Sequence, residues 1–259
     1  MLGSHGHICD AGLVGTLWRR PVLVELTLAS WNIRAGLGRD LRRRPLRTIE
    51  VISGINADIL VLQEADFRRR PRHAALPMSQ GRIGPYEVID LTPEAVGLGW
   101  HGIAVLKRPE ISVEAIERID LPALEPRGAV IVDFKVRDWP VRIVGVHLGL
   151  LRGNRRKQIG HLADRLALMG KRSTIVAGDF NEWRERKGME TLPDWLQTHS
   201  PGPTFPAGRP LLKLDKVAMT RDVRLLESAV VGVPAAQIAS DHRPITARFQ
   251  LGPMQVEHC

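Results

Sequence analysis

The chain is 259 residues long, with 44% hydrophobic and 25% charged residues, a composition typical of a globular protein with a buried core. That length suits one large domain or two small ones. The two cysteines, Cys9 and Cys259, lie in opposite terminal segments, which excludes a disulfide framework and a cysteine-rich zinc site. No apolar run approaches the roughly 20 residues that a membrane-spanning helix requires, so we expect no transmembrane segment.

The formal net charge of +9 at neutral pH favours an anionic partner, such as nucleic acid, a phosphorylated metabolite or an anionic lipid surface. The alternative explanation is that the charge reflects a generally basic proteome or a bias toward solubility, rather than an anionic partner. Aromatic residues are scarce, at 5%, so the chain has few side chains on which the bases of single-stranded nucleic acid could stack. The cysteine usage and the lack of a recognisable secretory signal lead us to expect a reducing, cytoplasmic compartment.

Apolar patterning predicts a single strand-rich domain at 22–251, between two tails, 1–21 and 252–259. The predicted elements, in chain order, are strands over 22–29, 58–62, 86–91, 101–107, 111–121, 129–136, 141–148, 174–177, 211–219, 223–231 and 245–251, and helices over 46–55 and 154–169. Short connections between successive strands predict antiparallel neighbours. The proline-rich stretch 182–210 is predicted to be loop and short helix.

Two segments are strongly basic. One is the irregular segment 67–85, whose arginines are Arg68, Arg69, Arg70 and Arg72. It suits either a solvated loop or a loop that faces phosphate groups. The other is the first turn of the second predicted helix, with Arg155, Arg156 and Lys157. Positive charge there opposes the helix dipole, which hints at a role beyond stability.

Polar side chains stand where predicted apolar strands end. The run 174–177 stops at Gly178, and Asp179 and Asn181 follow. If the chain stays extended, both side chains point to the same face. A buried carboxylate there requires a partner, such as a metal ion, a phosphate or a catalytic proton. The alternative is a turn over Asp179 and Asn181 that caps a helix beginning near Glu182.

Other segments repeat this pattern. Their polar residues are Asn32, Glu64, His147, Asp215, Asp241 and His242. Taken singly, Asn32 fits a turn, Glu64 a solvated strand edge and His147 a hydrogen-bonded core histidine. Asp215 differs because it lies inside the predicted strand 211–219. Taken together, these residues predict strands that converge on one mouth, where carboxylate and amide oxygens suit Mg²⁺ or Mn²⁺.

The same residues carry a resemblance to the endonuclease/exonuclease/phosphatase family, which includes deoxyribonuclease I, AP endonucleases, sphingomyelinases and inositol polyphosphate 5-phosphatases. The matching motifs, in the family's order, are Ser30-Trp31-Asn32-Ile33, Leu62-Gln63-Glu64, His147-Leu148, Gly178-Asp179-Phe180-Asn181, Leu214-Asp215 and Ser240-Asp241-His242-Arg243-Pro244. The resemblance implies an α+β fold, a four-layer α/β/β/α sandwich of two mainly antiparallel sheets with flanking helices. One departure is Ile103, which stands where many members have an asparagine.

The resemblance also implies a metal site. Glu64 would be the principal ligand of Mg²⁺ or Mn²⁺, with Asn32 beside it. Asp241 would complete the metal site or lie just behind it. Such a cation would neutralise charge as an anionic phosphoester is attacked.

The remaining implied roles are catalytic. Asp179 would hold or deprotonate the attacking water, and Asn181 would orient that water and the phosphate. Asp215 would orient His242, which would act as an acid–base group or as a phosphate-binding partner. His147 matches the histidine of the nuclease and sphingomyelinase branches, where AP endonucleases carry a tyrosine.

The sequence therefore predicts a Mg²⁺- or Mn²⁺-dependent phosphoesterase that cleaves a P–O bond by in-line attack of water. The positive charge and the arginines of 68–72 favour a nuclease, with DNA as its substrate. The few aromatic residues and the compact length favour a phosphatase or phosphodiesterase that acts on a small molecule or a lipid head group. A catalytically silent phosphate-binding protein is a third alternative. We expect a monomer without a stable protein partner.

Overall fold

A computed structural model describes residues 23–68, 71–92, 96–122, 125–184 and 188–252. The predicted N-terminal tail, Arg69, Arg70 and all of the predicted C-terminal tail except Gly252 lie outside these ranges. The strands within them are Val24–Asn32 (β1), Ile59–Gln63 (β2), Arg82–Ile83 (β3), Tyr86–Val88 (β4), Ala104–Lys107 (β5), Ser112–Leu121 (β6), Arg127–Val136 (β7), Trp139–His147 (β8), Ser173–Asp179 (β9), Leu196–His199 (β10), Asp215–Thr220 (β11), Val223–Val230 (β12) and Ile245–Leu251 (β13). The helices are Pro45–Gly54 (α1), Arg152–Leu168 (α2) and Pro234–Ala239 (α3), with a 3₁₀ turn at Arg34–Gly36.

The strands form two mixed sheets. Across the described residues, one sheet has seven strands in the order β12-β13-β1-β2-β5-β4-β3, and β1 and β2 are its parallel pair. The other has six strands in the order β10-β11-β9-β8-β7-β6, with β8 and β9 parallel. The other pairs that these sheets contain are antiparallel, so both sheets are mainly antiparallel.

The sheets pack face to face through a buried apolar layer that includes Leu26, Val132 and Ile175. The outer face of the first sheet is covered by α1 and α3, where Ile52 is buried, and the outer face of the second by α2, where Leu162 is buried. Each sheet thus buries both faces, one against the other sheet and one against helices. The predicted four-layer sandwich is confirmed.

One predicted strand pairing is wrong. The predicted strands 101–107 and 111–121 correspond to β5 and β6, and the short connection between them led us to expect antiparallel neighbours. Instead β5 already has β2 and β4 on its two edges, so neither edge is open to β6. The chain therefore crosses to the second sheet, where β6 pairs with β7.

The stretch 182–210 contains a strand that was not predicted. Leu196–His199 (β10) pairs with β11 at the edge of the second sheet. A four-residue edge strand among prolines gives too short an apolar pattern to stand out in the sequence.

The predicted helices are present as α1 and α2, and α3 is an addition whose six residues are too few for a periodic signal. Leu46, the first residue of the predicted helix 46–55, is 74% exposed. The packed face of α1 is formed by Thr48, Val51 and Ile52 instead. Among the helices of the described ranges, none combines the length and the apolar character needed to cross a lipid bilayer.

Candidate functional site

Polar strand ends from both sheets meet at one edge of the sandwich. Parallel pairing places Asn32, at the end of β1, beside Gln63, at the end of β2. The same kind of pairing places His147, at the end of β8, beside Asp179, at the end of β9. In the antiparallel neighbour β11, Asp215 lies opposite Asp179. The topology therefore brings side chains from distant parts of the sequence to one place.

Asp179 is the centre of this group and is almost fully buried. Its Oδ2 accepts a hydrogen bond from Asn32 Nδ2 at 3.1 Å and lies 3.5 Å from His147 Nε2 and 3.7 Å from His242 Nε2. Its Oδ1 accepts the backbone N–H of Asn181 at 2.9 Å. Burial raises the pKa of Asp179 from 3.8 to about 6, although the charge of His242 opposes the rise. The carboxyl group can therefore gain and lose a proton near neutral pH.

Asp215 and His242 form a buried pair next to Asp179. His242 Nδ1 donates to Asp215 Oδ2 at 2.9 Å, and the Thr204 hydroxyl donates to the same oxygen. Burial disfavours the charged imidazole, but the charge and hydrogen bond of Asp215 outweigh it and raise the pKa of His242 from 6.5 to about 10. His242 is thus an imidazolium at neutral pH, with its Nε2–H on the side of Asp179.

Asp215 opens its strand and does not interrupt it. The prediction of a strand over 211–219 is wrong at its beginning, because Leu212 bridges to Phe205 in a loop outside the sheet. The strand begins at Asp215. The buried carboxylate consequently lies at the strand end that faces the site, where His242 pairs with it.

His147 is buried and in contact with a cation. Arg127 Nη1 donates to His147 Nδ1 at 2.9 Å. Because an arginine only donates, this ring nitrogen accepts, and the ring proton lies on Nε2, which faces Asp179. Burial and the charge of Arg127 lower the pKa of His147 well below 6.5. His147 is therefore a neutral donor, unlike His242.

The turn after β9 sets the direction of Asn181. Its backbone φ is 50°, so the chain leaves the extended conformation there, and the prediction that Asp179 and Asn181 share one face of a strand is wrong. The backbone N–H of Asn181 instead bonds back to Asp179, and its side-chain amide donates to Leu148 O at 2.9 Å. This is the Asp–Asn turn of the alternative interpretation. In the described part of the segment that follows, 181–184, no helix begins.

A buried ion pair ties this turn to the loop after β8. Arg155 Nη2 lies 2.6 Å from Glu182 Oε2, and Arg155 Nη1 donates to the carbonyls of Gly149 and Leu150. Both charged side chains are buried. One residue of the basic helix start, Arg155, thus connects the two loops that flank Asn181.

Glu64 and Asp241 lie at the open side of the site. Glu64 Oε1 is 3.3 Å from Arg68 Nη2, and Asp241 Oδ2 is 3.2 Å from Arg34 Nε. The two carboxylate side chains are 24% and 28% exposed. A cavity of about 300 Å³ beside Glu64 is lined by Glu64, Asp66, Arg68, Arg72, Arg127 and His147, among others. Glu64 and His147 therefore face the same space.

Two groups of side chains are candidates to hold a divalent cation. Ligand atoms of Asp179, Asp215 and His242 lie within 4.8 Å of one another. His242 is protonated and donates to Asp215 Oδ2, so that ring has no lone pair to offer. Of the carboxylate oxygens in this trio, Asp215 Oδ1 is buried without a hydrogen-bond partner among the described residues. The geometry of this buried trio fits an ion pair better than a metal site.

The second group, Asn32, Glu64 and Asp241, fits a hard cation better. It offers one amide and two partly exposed carboxylates, the donors that Mg²⁺ and Mn²⁺ prefer. Each carboxylate is balanced by an arginine that is itself partly exposed. A small cation can replace a partly exposed arginine at much lower desolvation cost than it could enter the buried trio.

Three residues of the site were not identified from the sequence, Arg127, Thr204 and Glu182, and a fourth, Arg155, was noted only as part of a basic helix start. Arg127 opens β7, and a charged residue at the start of an apolar strand is the only signal it carried. Thr204 lies in a loop and carried none. The positive charge at the start of α2, which is unfavourable for the helix dipole, drew attention to Arg155 but not to its partner Glu182.

Comparison with known proteins identifies the family to which the chain belongs. The model of the Endonuclease/Exonuclease/phosphatase family matches residues 29–242, which is most of the chain. YbhP of Escherichia coli strain K12, described as uncharacterized, is 29% identical over 171 residues, 59% of this chain. The match spans 64% of that relative, a little under two thirds of its length.

Solved structures share the fold. An endonuclease/exonuclease/phosphatase family protein from Bacteroides thetaiotaomicron superposes with a TM-score of 0.70 at 16% identity, covering 90% of this chain and 99% of the other. D. rerio TDP2 complexed with single strand DNA product superposes with a TM-score of 0.67 at 16% identity, covering 87% and 98%. At this identity the likeness establishes the architecture, and the chemistry has to be argued from the site.

Proposed function

Because the chain belongs to the endonuclease/exonuclease/phosphatase family, we propose that it is a hydrolase that cleaves phosphoester bonds by attack of water. The observation that carries this proposal is the surroundings of Asp179 Oδ2. One carboxylate oxygen there faces the side-chain N–H groups of Asn32, His147 and His242 within 3.1 to 3.7 Å. A base and several donors so close together suit a reaction in which water loses a proton while phosphoryl oxygens gain charge.

The proposed roles follow from the protonation states. Asp179, with a pKa of about 6, takes the proton of the attacking water. His242 stays an imidazolium because Asp215 pairs with it, and its Nε2–H stabilises a phosphoryl oxygen as negative charge develops. His147 adds a neutral Nε2–H donor that Arg127 holds in one tautomer. Asn181, fixed by its bond to Leu148, orients the water and the phosphate.

We further propose that Glu64, Asn32 and Asp241 hold a Mg²⁺ or Mn²⁺ ion. When bound, such an ion supplies charge neutralisation for the phosphoryl group. The carboxylates would exchange their contacts with Arg68 and Arg34 for the ion, and both arginines would then be available to the anionic substrate. The cavity beside Glu64 and His147 is the space in which the phosphoester would lie.

The experiment is a panel of esters measured with and without metal. Bis-p-nitrophenyl phosphate, p-nitrophenyl phosphate, plasmid DNA and an abasic duplex are incubated with Mg²⁺, with Mn²⁺ and with excess EDTA. We expect turnover of at least one diester with metal, loss in EDTA, and recovery when metal is restored. Undiminished turnover in excess chelator would disprove the metal assignment, and no turnover of any ester would disprove hydrolysis.

Nucleic acid is the second candidate substrate. It is favoured by the net charge of +9 and by Arg68 and Arg72, which line the cavity next to Glu64. The fold-related TDP2 was solved with single strand DNA product. If DNA binds there, affinity falls steeply with salt, because each phosphate contact releases counterions. Replacing Arg68, Arg69, Arg70 and Arg72 together by Ala should then flatten the dependence of affinity on salt.

A further inference from the structure

Five large apolar side chains are exposed on the segments that follow the strands of the site. They are Leu41 (74% exposed), Leu46 (74%), Leu150 (71%), Leu151 (61%) and Trp183 (51%), and we name them the mouth rim. Single exposed apolar residues are common on protein surfaces, but a group of them around one opening is typical of a docking surface.

The position of the mouth rim follows from the topology. Leu41 lies in the loop after β1, and Leu46 lies in the first turn of α1, which that loop enters. Leu150 and Leu151 follow β8, and Trp183 follows β9. The carboxyl ends of these three strands build the site, so the segments that leave them emerge on the same side of the molecule.

The loops of the mouth rim are held by defined contacts. Arg155 donates to the carbonyl of Leu150 and pairs with Glu182, the residue before Trp183. On the other side, Arg43 lies over the ring of Phe67, at 4.7 Å from its centroid, and joins the loop after β1 to the loop after β2. The exposed apolar side chains therefore stand on anchored loops next to the site.

Positive charge surrounds these side chains. Residues 37–47 contain five arginines and one aspartate, and the aspartate, Asp40, is already paired with Arg47 at 2.8 Å. After Leu151, the first two turns of α2 carry the exposed side chains of Arg152, Arg156 and Lys157, of which Arg152 is paired with Glu190. That charge opposes the helix dipole, so it is unfavourable in the isolated protein. An anionic surface in front of the mouth would make it favourable.

We propose that the mouth rim docks on an anionic lipid surface. Leucine and tryptophan side chains among arginines and lysines are the composition that inserts shallowly at the boundary between head groups and acyl chains. Basic residues near such a surface add electrostatic attraction. The proposal rests on the proposed function in one respect: the phosphoester to be cleaved would belong to a lipid head group presented to the mouth.

A nucleic-acid strand fits the mouth rim less well. Bases bind proteins largely by stacking on aromatic rings, and four of the five side chains are leucines. Trp183 is the aromatic member, and Arg184 covers one face of its ring at 4.5 Å from the centroid. The nearby Phe67 ring likewise has Arg43 over it. Four exposed leucines contribute little to stacking and a great deal to insertion into a lipid boundary.

The test measures sedimentation of the full chain with vesicles of phosphatidylcholine alone or mixed with phosphatidylglycerol. Two variants remove apolar surface, Leu41→Ser with Leu46→Ser, and Leu150→Ser with Leu151→Ser. Leu168→Ser is the matched control, because Leu168 is 80% exposed at the far end of α2. That helix has 17 residues, which places Leu168 about 25 Å from Leu151 along its axis.

We expect binding to the mixed vesicles that weakens with salt, and little binding to phosphatidylcholine alone. Each double leucine variant should lower the partition coefficient by about tenfold or more, and Leu168→Ser by less than about twofold. The emission of Trp183 should shift to shorter wavelength with mixed vesicles, and Trp183→Phe should remove that shift.

The proposal is wrong if mixed vesicles do not bind, or if the leucine variants bind as well as Leu168→Ser. It is also wrong if a single-stranded oligonucleotide binds more tightly than the vesicles and loses its affinity with the same leucine substitutions. Turnover of soluble bis-p-nitrophenyl phosphate by the unmodified protein keeps the two proposals separate. Vesicle binding without turnover would disprove the proposed hydrolysis but support the docking surface. Turnover without vesicle binding would support the hydrolysis and disprove the docking surface.

Discussion

Replacing Asp215 by Asn tests whether Asp215 controls the charge of His242. Asparagine keeps the size of the side chain but removes the charge that stabilises the imidazolium, while His242 stays buried. The pKa of His242 should therefore fall from about 10 to its ordinary value of 6.5 or below. At pH 8 a histidine with a pKa of 6.5 is protonated in roughly one molecule in thirty. Lost protonation alone should then slow turnover about thirtyfold, and lost orientation should extend the loss to about 10²–10⁴.

The assay is the ratio of kcat/KM for the unmodified protein to that of Asp215→Asn, measured from pH 6 to pH 9 with bis-p-nitrophenyl phosphate and Mg²⁺. The ratio should grow as pH rises, because only the variant loses its imidazolium in this range. Titration of His242 by NMR with labelled histidine reports the same pKa change without turnover. Thr204→Val is the matched control, since it removes a hydrogen bond to Asp215 but keeps the carboxylate that pairs with His242. The kcat/KM of Thr204→Val should fall by less than about tenfold.

Two results would refute this reasoning. The first is a ratio that does not change with pH, since the protonation of His242 would then not depend on Asp215. The second comes from the double variant, Asp215→Asn with His242→Ala, which should be little slower than His242→Ala because paired residues are not additive. If the two losses multiply, the residues act independently.

Further predictions concern Asp179, Glu64 and Arg155. The pKa of Asp179 is raised from 3.8 to about 6, so its ionised form costs stability above about pH 6 and nothing below about pH 3.8. Asp179→Asn should abolish turnover yet raise the free energy of unfolding at pH 8, a gain that calorimetry should find much smaller at pH 4. Glu64→Gln should raise the Mg²⁺ concentration needed for half-maximal turnover, with partial recovery in excess metal, and an unchanged titration would exclude Glu64 as a ligand. Arg155→Met leaves Glu182 buried without its partner and should cost about 3–5 kcal/mol in urea unfolding, whereas Arg152→Met, at an exposed pair, should cost less than about 1 kcal/mol.

Local sequence determined much of the architecture. The strand 141–148 and the helix 154–169 have apolar patterns long enough to fix their type, and they appear as β8 and α2. The placement of Asn32 and Asp179 at strand ends could be read directly, because a polar residue that closes an apolar run is a local signal. The order of such motifs identified the family, which the match over residues 29–242 confirms.

The tertiary structure decided what local pattern cannot encode. The sheet that receives β6 depended on which edges of β5 were already occupied. The contact between Arg127 and His147 joins residues twenty positions apart, and no periodicity links them. Contacts of this kind also give the two histidines different charges. His147 is neutral because it is buried and lies beside an arginine, and His242 is charged because it lies beside Asp215. A pKa depends on burial and on charges within a few ångströms, and both are properties of the folded chain rather than of neighbours in sequence.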